Sequence, residues 1–192
     1  MTAVPQLAPS RMTVDEFLVW PGDGSARYFQ LVDGEPVAMA PASINHGLIQ
    51  AALARLLETQ LIGTRCRVVI APGVVPRVRS DSNFRIPDLA VTCSDNPGVS
   101  AIEDPVLVIE ILSPSNEIET RANVWAYATL PSVREILLVR STRIEAELLR
   151  RDADGNWPES AVQLSAADTV ALRSIDFTCP LAELYARTQL PR

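Results

Sequence analysis

An acid stands in the middle of an apolar run. Pro105-Val106-Leu107-Val108-Ile109-Glu110-Ile111-Leu112 is apolar on both sides of Glu110. Such a run is read as a strand buried on both faces. An ionised carboxylate there is costly unless a positive group meets it. The run Arg85-Ile86-Pro87-Asp88-Leu89-Ala90-Val91-Thr92-Cys93 repeats the pattern, with one acid entering another apolar strand. Side chains alternate along a strand, so Val108, Glu110 and Leu112 share one face. Ile86, Asp88 and Ala90 form a matching face on the other strand. Adjacent strands would bring the two carboxylates together.

Two readings of that pair stand side by side. Oxygen donors in a partly hydrated pocket suit Mg²⁺ or Mn²⁺ better than zinc. Such an ion would polarise a phosphoryl oxygen and acidify a bound water. Alternatively, Glu110 pairs with Arg85 in an ion-pair core, and Asp88 is a turn residue at a strand start.

Length and charge bound the rest. The chain has 192 residues, 47% of them hydrophobic, which predicts one domain over 11–192 behind a loose arm over 1–10. Net charge is −6, and all 17 basic residues are arginine. Without a global positive charge, a polyanion would have to meet a local arginine patch. No stretch is long and apolar enough to span a bilayer. Met1 to Ser10 lacks the basic and apolar regions of a secretory signal. Cys66, Cys93 and Cys179 lie far apart with no CxxC pair, so each is read as a small buried hydrophobe in a reducing cytoplasm.

The element order is that of an α/β domain with a mixed sheet. Thr13-Val14-Asp15-Glu16 is a capping box opening a helix to about Trp20. Asp33-Gly34 predicts a type I′ hairpin between Tyr28–Val32 and Glu35–Met39. A helix follows from Ser43 to about Leu61. Strands are expected at Cys66–Ala71 and Gly73–Val78, then the two carboxylate strands. Ser113-Pro114-Ser115-Asn116 starts a helix through about Thr129. Strands at Glu135–Val139, Arg143–Leu149 and Thr169–Arg173, and a closing helix over Pro180–Arg187, complete the order.

Pro87-Asp88 followed by Glu110-Ile111-Leu112 resembles the PD-(D/E)XK motif of restriction-endonuclease-like nucleases. More closely, the chain resembles the Uma-two family of bacterial endonucleases. The resemblance rests on Phe29 through Glu35, Arg85 through Asp88, Val108 through Ser115, and Tyr127 with Leu130 through Glu135. It implies a mixed sheet flanked by helices, with an N-terminal helix and β-hairpin. It also implies a Mg²⁺ or Mn²⁺ site at Asp88 and Glu110, helped by the Ile111 carbonyl, and DNA as substrate. A two-fold homodimer is the usual expectation for cutting both strands.

The chain departs from the family pattern twice. The motif lysine position holds Leu112, and the position in the following helix that would take a displaced lysine holds Asn123. Asn123 can hold a water but carries no charge; Arg121 carries charge but cannot act as a base. Asn123 and Tyr127 share a helix face. Where the family usually has an acid, this chain has Gln30. The sequence thus predicts either an endonuclease using substitutes or a catalytically degenerate DNA-binding or assembly module. His46 is an auxiliary candidate, as a base near a metal or as a helix-start residue. Ser113 and Ser115 are candidates for phosphate contact or for capping. Arg77, Arg79 and Arg85 are candidates for steering DNA phosphates, or for surface ion pairs.

Overall fold

The computed structural model describes residues 11–96 and 98–190, so the arm expected over 1–10 lies outside the described residues. Helix α1 (Val14–Val19) opens on the predicted capping box: the Glu16 N–H donates to the Thr13 hydroxyl, and the Thr13 N–H donates to the Glu16 carboxylate at 2.8 Å. Strands β1 (Phe29–Val32) and β2 (Glu35–Ala38) pair around Asp33 and Gly34. Their φ values of 50° and 86° are those a type I′ turn needs, and an Asp-Gly pair supplies them at low strain. Helix α2 (Ile44–Leu61) is capped by Ser43 and buries Ile49, Leu53, Leu57 and Leu61 at helical spacing.

The main sheet has six strands: β3 (Arg67–Ile70), β4 (Leu89–Thr92), β5 (Pro105–Leu112), β6 (Glu135–Arg140), β7 (Glu145–Arg150) and β8 (Val162–Ser165), in that spatial order. Only β5 and β6 run parallel, joined through helix α3 (Glu117–Ala128). Every other neighbouring pair is antiparallel. On one face, Ile49, Leu53 and Leu57 of α2 pack with Leu89, Val91, Leu107, Ile109 and Ile111. On the other, Val124 and Tyr127 of α3 pack with Ala90, Val108, Leu112 and Ile136. Strand β5 is therefore covered on both sides, as its apolar run predicts. A fully buried Leu or Ile stabilises by roughly 1.5–3 kcal/mol, so the five buried Leu, Val and Ile neighbours of Glu110 along β5 can offset one costly acid. Hairpin β9 (Thr169–Leu172) and β10 (Phe177–Pro180) spans a 3₁₀ turn, Arg173–Ile175, and leads into α4 (Leu181–Leu184); it closes the α2 side of the core.

Four expectations are corrected. Gly73–Val78 is not a strand: only Val74 bridges, to Arg85. Pro72 and Pro76 lack ladder donors, and the Arg77 N–H goes to the Thr129 hydroxyl at 2.9 Å. Strands β8 and β10 were not expected; β8 is short and mostly exposed, so it carries little apolar signal. The closing helix is only four residues long. Finally, Cys66 and Cys93 form a disulfide, with Cα atoms 3.9 Å apart. The register that pairs Arg67 with Thr92 sets these cysteines opposite each other. Of the three, only Cys179 is a buried free thiol, and the argument from cysteines to a reducing compartment falls with that pairing. Among the described residues, no helix is long and apolar enough to cross a membrane.

Candidate active site

The site grows from the register of β4 and β5. Leu89 pairs with Ile109, so Asp88, one residue ahead of β4, stands opposite Glu110. Each carboxylate is held by the other strand's backbone. The Ile111 N–H donates to Asp88 Oδ2 at 2.6 Å, and the Asp88 N–H makes a longer contact of 3.4 Å to Glu110 Oε2. The Asp88 carbonyl accepts from Gln50 Nε2 at 2.9 Å and from the Ala71 N–H at 3.0 Å. Asp88 therefore has little freedom to move. Ile111 reaches Asp88 through its N–H.

Two further side chains orient the acids. His46 Nε2 lies 3.1 Å from Asp88 Oδ1, and its Nδ1 is buried without a partner. The Tyr127 hydroxyl donates to Glu110 Oε1 at 2.8 Å. Glu110 is 5% exposed. Burial first, and the neighbouring Asp88 charge second, hold its carboxyl well above the usual range; the Tyr127 bond works against that shift. Burial and the Glu110 charge in turn push the Tyr127 hydroxyl up. The ion-pair reading is not met, because the buried Arg85 donates to Asn83 Oδ1 at 2.9 Å and Glu110 is served by Tyr127.

Both carboxylates line a cavity of about 600 Å³. Gln30, His46, Ser113 and Asn123 share its wall, so β1, α2, the end of β5 and α3 all contribute. Asn123 Nδ2 donates to Gln30 Oε1 at 3.2 Å, and both residues are buried. The two amides, expected separately at the site, thus satisfy each other in the cavity wall.

Other candidates stand elsewhere. Arg121 is drawn to the far side of α3, donating to both Glu147 oxygens at 2.6 and 3.1 Å and to Glu117. Arg140 joins the same carboxylates, and Arg121 is absent from the cavity wall. The expectation that it brings charge to the site is corrected by that geometry. Arg85 is only 7% exposed, which corrects its expected role in steering DNA phosphates or in a surface ion pair; burial also pushes its guanidinium down from the ordinary value. Arg79 is exposed and pairs with Asp33 at 2.8 Å. Arg77 is exposed and lines a separate cavity of about 480 Å³. Ser113 bonds to Ser115 and Asn116 at 3.0 and 2.9 Å, the pattern of a local turn at the start of α3.

Sequence reasoning missed several wall residues. Gln50 was within reach, since it lies four residues after His46 and so on the same helix face. Asn116, Glu119 and Thr120 read as ordinary first-turn residues of α3. Arg27 reads as approach to a strand and Tyr28 as its first residue, with nothing local to mark a rim.

The donor set fits a hard divalent cation. Two carboxylates face each other, and burial first and the neighbouring charge second keep Glu110 from ionising; a cation between them would relieve the repulsion. Among the described residues, no three His, Cys, Asp or Glu side chains cluster as a metal-binding group. The rest of a coordination shell would fall to water and to neutral oxygens, as is common for Mg²⁺.

A family model described as "Uma2: Putative restriction endonuclease" matches residues 14–182. An uncharacterised protein of Synechocystis sp., slr1290, is 31% identical over 184 residues, covering 94% of this chain and 92% of its own. A second Synechocystis protein, sll1609, also uncharacterised, is 26% identical over 134 residues, covering 67% of this chain and 75% of its own. A crystal structure from Anabaena variabilis, described as a "putative nuclease belonging to DUF820", superposes with a TM-score of 0.74 at 16% identity. That match covers 91% of this chain and 98% of the other, and it shows a shared fold.

Proposed function

The chain belongs to the Uma2 restriction-endonuclease family, and from that membership we propose that it is a divalent-metal-dependent DNA endonuclease cutting phosphodiester bonds beside Asp88 and Glu110. One observation carries the reading: two carboxylates from adjacent strands, interlocked by backbone hydrogen bonds, face one cavity. Asp88 and Glu110 would hold Mg²⁺ or Mn²⁺, which when bound polarises a phosphoryl oxygen and acidifies water.

The chain's own residues supply position. Ile111 N–H and His46 fix the two Asp88 oxygens, and Tyr127 fixes Glu110. Gln30 and Asn123 offer neutral donors and acceptors that can orient a water or a sugar–phosphate oxygen, without acting as a base. On this reading residues 11–192 act as one catalytic domain, and a two-fold homodimer would present two sites to one duplex.

Supercoiled plasmid, incubated with Mg²⁺ or Mn²⁺, tests the proposal. Wild type should nick it, and Glu110→Gln and Asp88→Asn should not. Equal nicking by all three proteins would sink the enzyme reading.

The Gln30–Asn123 bond favours a second reading. Where the family pattern expects an acid and a lysine, two neutral amides satisfy each other. A degenerate module would bind DNA and fail to cut it under every metal condition.

A further inference from the structure

The mouth of the cavity is built by residues that the carboxylate chemistry does not use. Ala26, Arg27 and Tyr28 lead into β1, and Met39 to Ala42 lead out of β2, so the open end of the hairpin forms two sides of the rim. The Met39 N–H donates to the Tyr28 carbonyl at 2.8 Å and ties those sides together. Tyr28 is 81% exposed. Core packing does not account for an aromatic ring left in water at the edge of a cavity.

The exposed charges on the wall are one arginine and one acid, Arg27 and Glu119. Arg27 is exposed, and among the described residues it is the one arginine on this wall, in a chain without lysine. The acids Asp88 and Glu110 lie deeper, with the Asp88 side chain 15% exposed. An incoming phosphate therefore meets its cation at the rim.

Burial of the acids selects what can reach them. An intact duplex carries its phosphates on the outside of a wide, stiff rod, so it reaches recessed carboxylates less readily than an unpaired strand does. An unpaired strand can thread the cavity, whose volume of about 600 Å³ lies within the roughly 300–1,000 Å³ of small-ligand sites. Enzymes with recessed sites commonly take unpaired nucleotides for this reason. Such a strand also shows its base faces, which stack on aromatic rings, while a planar guanidinium takes a phosphate in two hydrogen bonds.

We propose that Arg27 and Tyr28 form a substrate clamp, Tyr28 stacking on a base and Arg27 holding a phosphate. The site then acts on unpaired DNA (single strands, flaps or frayed ends) in preference to intact duplex. This rests on the nuclease reading above.

Fluorescence anisotropy with the full chain, free of divalent ions, tests it. Labelled oligothymidylate should bind at least about ten-fold tighter than a blunt duplex of equal length. Tyr28→Ala should weaken that binding by about ten-fold, Tyr28→Trp should restore it, and Arg27→Gln should flatten its salt dependence. All three variants should melt like wild type, because both side chains are exposed. Equal affinity for single strand and duplex, or no effect of Tyr28→Ala, overturns the clamp. Metal-dependent cutting together with an unchanged Tyr28→Ala variant rejects the clamp and leaves the nuclease reading intact. Tyr28-dependent binding without any cutting does the reverse. No DNA binding of either kind rejects both.

Discussion

Tyr127 donates its hydroxyl to Oε1 of Glu110 at 2.8 Å, and the tyrosine is fully buried beneath α3. The bond spans helix and sheet, so it orients the acid from α3. Tyr127→Phe removes the donor and leaves a buried carboxyl short of one partner. We expect a stability loss of about 1–3 kcal/mol by urea unfolding, with the fold retained. A larger fall in nicking rate than in DNA affinity would mark Tyr127 as a positioning residue; equal falls would count against that role.

Glu110 links stability to pH. In the fold, burial and Asp88 hold its carboxyl well above the ordinary value of 4.5 that it regains on unfolding. The folded chain thus binds this proton more tightly. Its contribution is full below the unfolded pKa and is lost as pH rises through the folded one. Without divalent ions, Glu110→Gln should therefore gain stability relative to wild type over the pH window that opens above about 4.5. A difference that stays constant over that window would show that Glu110 titrates normally.

Metal should reverse that penalty. A cation that binds only the folded chain stabilises by about 2.7 kcal/mol at one hundred times its Kd. Mn²⁺ should raise the melting midpoint of wild type, more so at higher pH, where Glu110 ionises more readily. Asp88→Asn should lose most of that rise. An equal rise in wild type and variant would place the ion elsewhere.

Arg121 separates structure from chemistry. Its guanidinium is held by Glu147 and Glu117 at 2.6 and 3.0 Å, away from the cavity. Its side chain is 41% exposed, so solvent screening limits the loss. Arg121→Ala should cost roughly 1 kcal/mol and leave metal-dependent nicking unchanged. A collapse of nicking without a loss of stability would return Arg121 to the site.

The disulfide is testable in the same way. Cys66–Cys93 staples the edge strand β3 to β4. Reduction, or Cys93→Ser, should cost about 2–4 kcal/mol. An unchanged unfolding midpoint on reduction would show that the bridge contributes nothing.

Several of these features were legible in the chain and others were not. Glu110 announced itself because an acid inside an apolar run has no cheap explanation. Asp33-Gly34 announced the hairpin because few residues tolerate two positive φ angles in succession. Strand alternation put Asp88 and Glu110 on matching faces, and the β4–β5 pairing brings them together. By contrast, the phase of α3 placed Asn123 and Tyr127 on one face without saying which strand residue each would meet. Arg85 sits in a polar stretch, and only the fold buries it, through its bridge to Val74 and its bond to Asn83. Val74 and Val75 look like strand residues, yet prolines and a borrowed hydroxyl deny them a ladder. The cysteine pair depends on the β3–β4 register, which no local pattern encodes.

The Gln30–Asn123 bond joins residues 93 positions apart. It fastens the β1–β2 hairpin, which stands outside the six-stranded sheet, to α3. An ion pair at this clasp would loosen with salt and with protonation of its acid. Two amides respond to neither. The wall they form should keep one width across ionic strengths and pH values at which a charged clasp would yield.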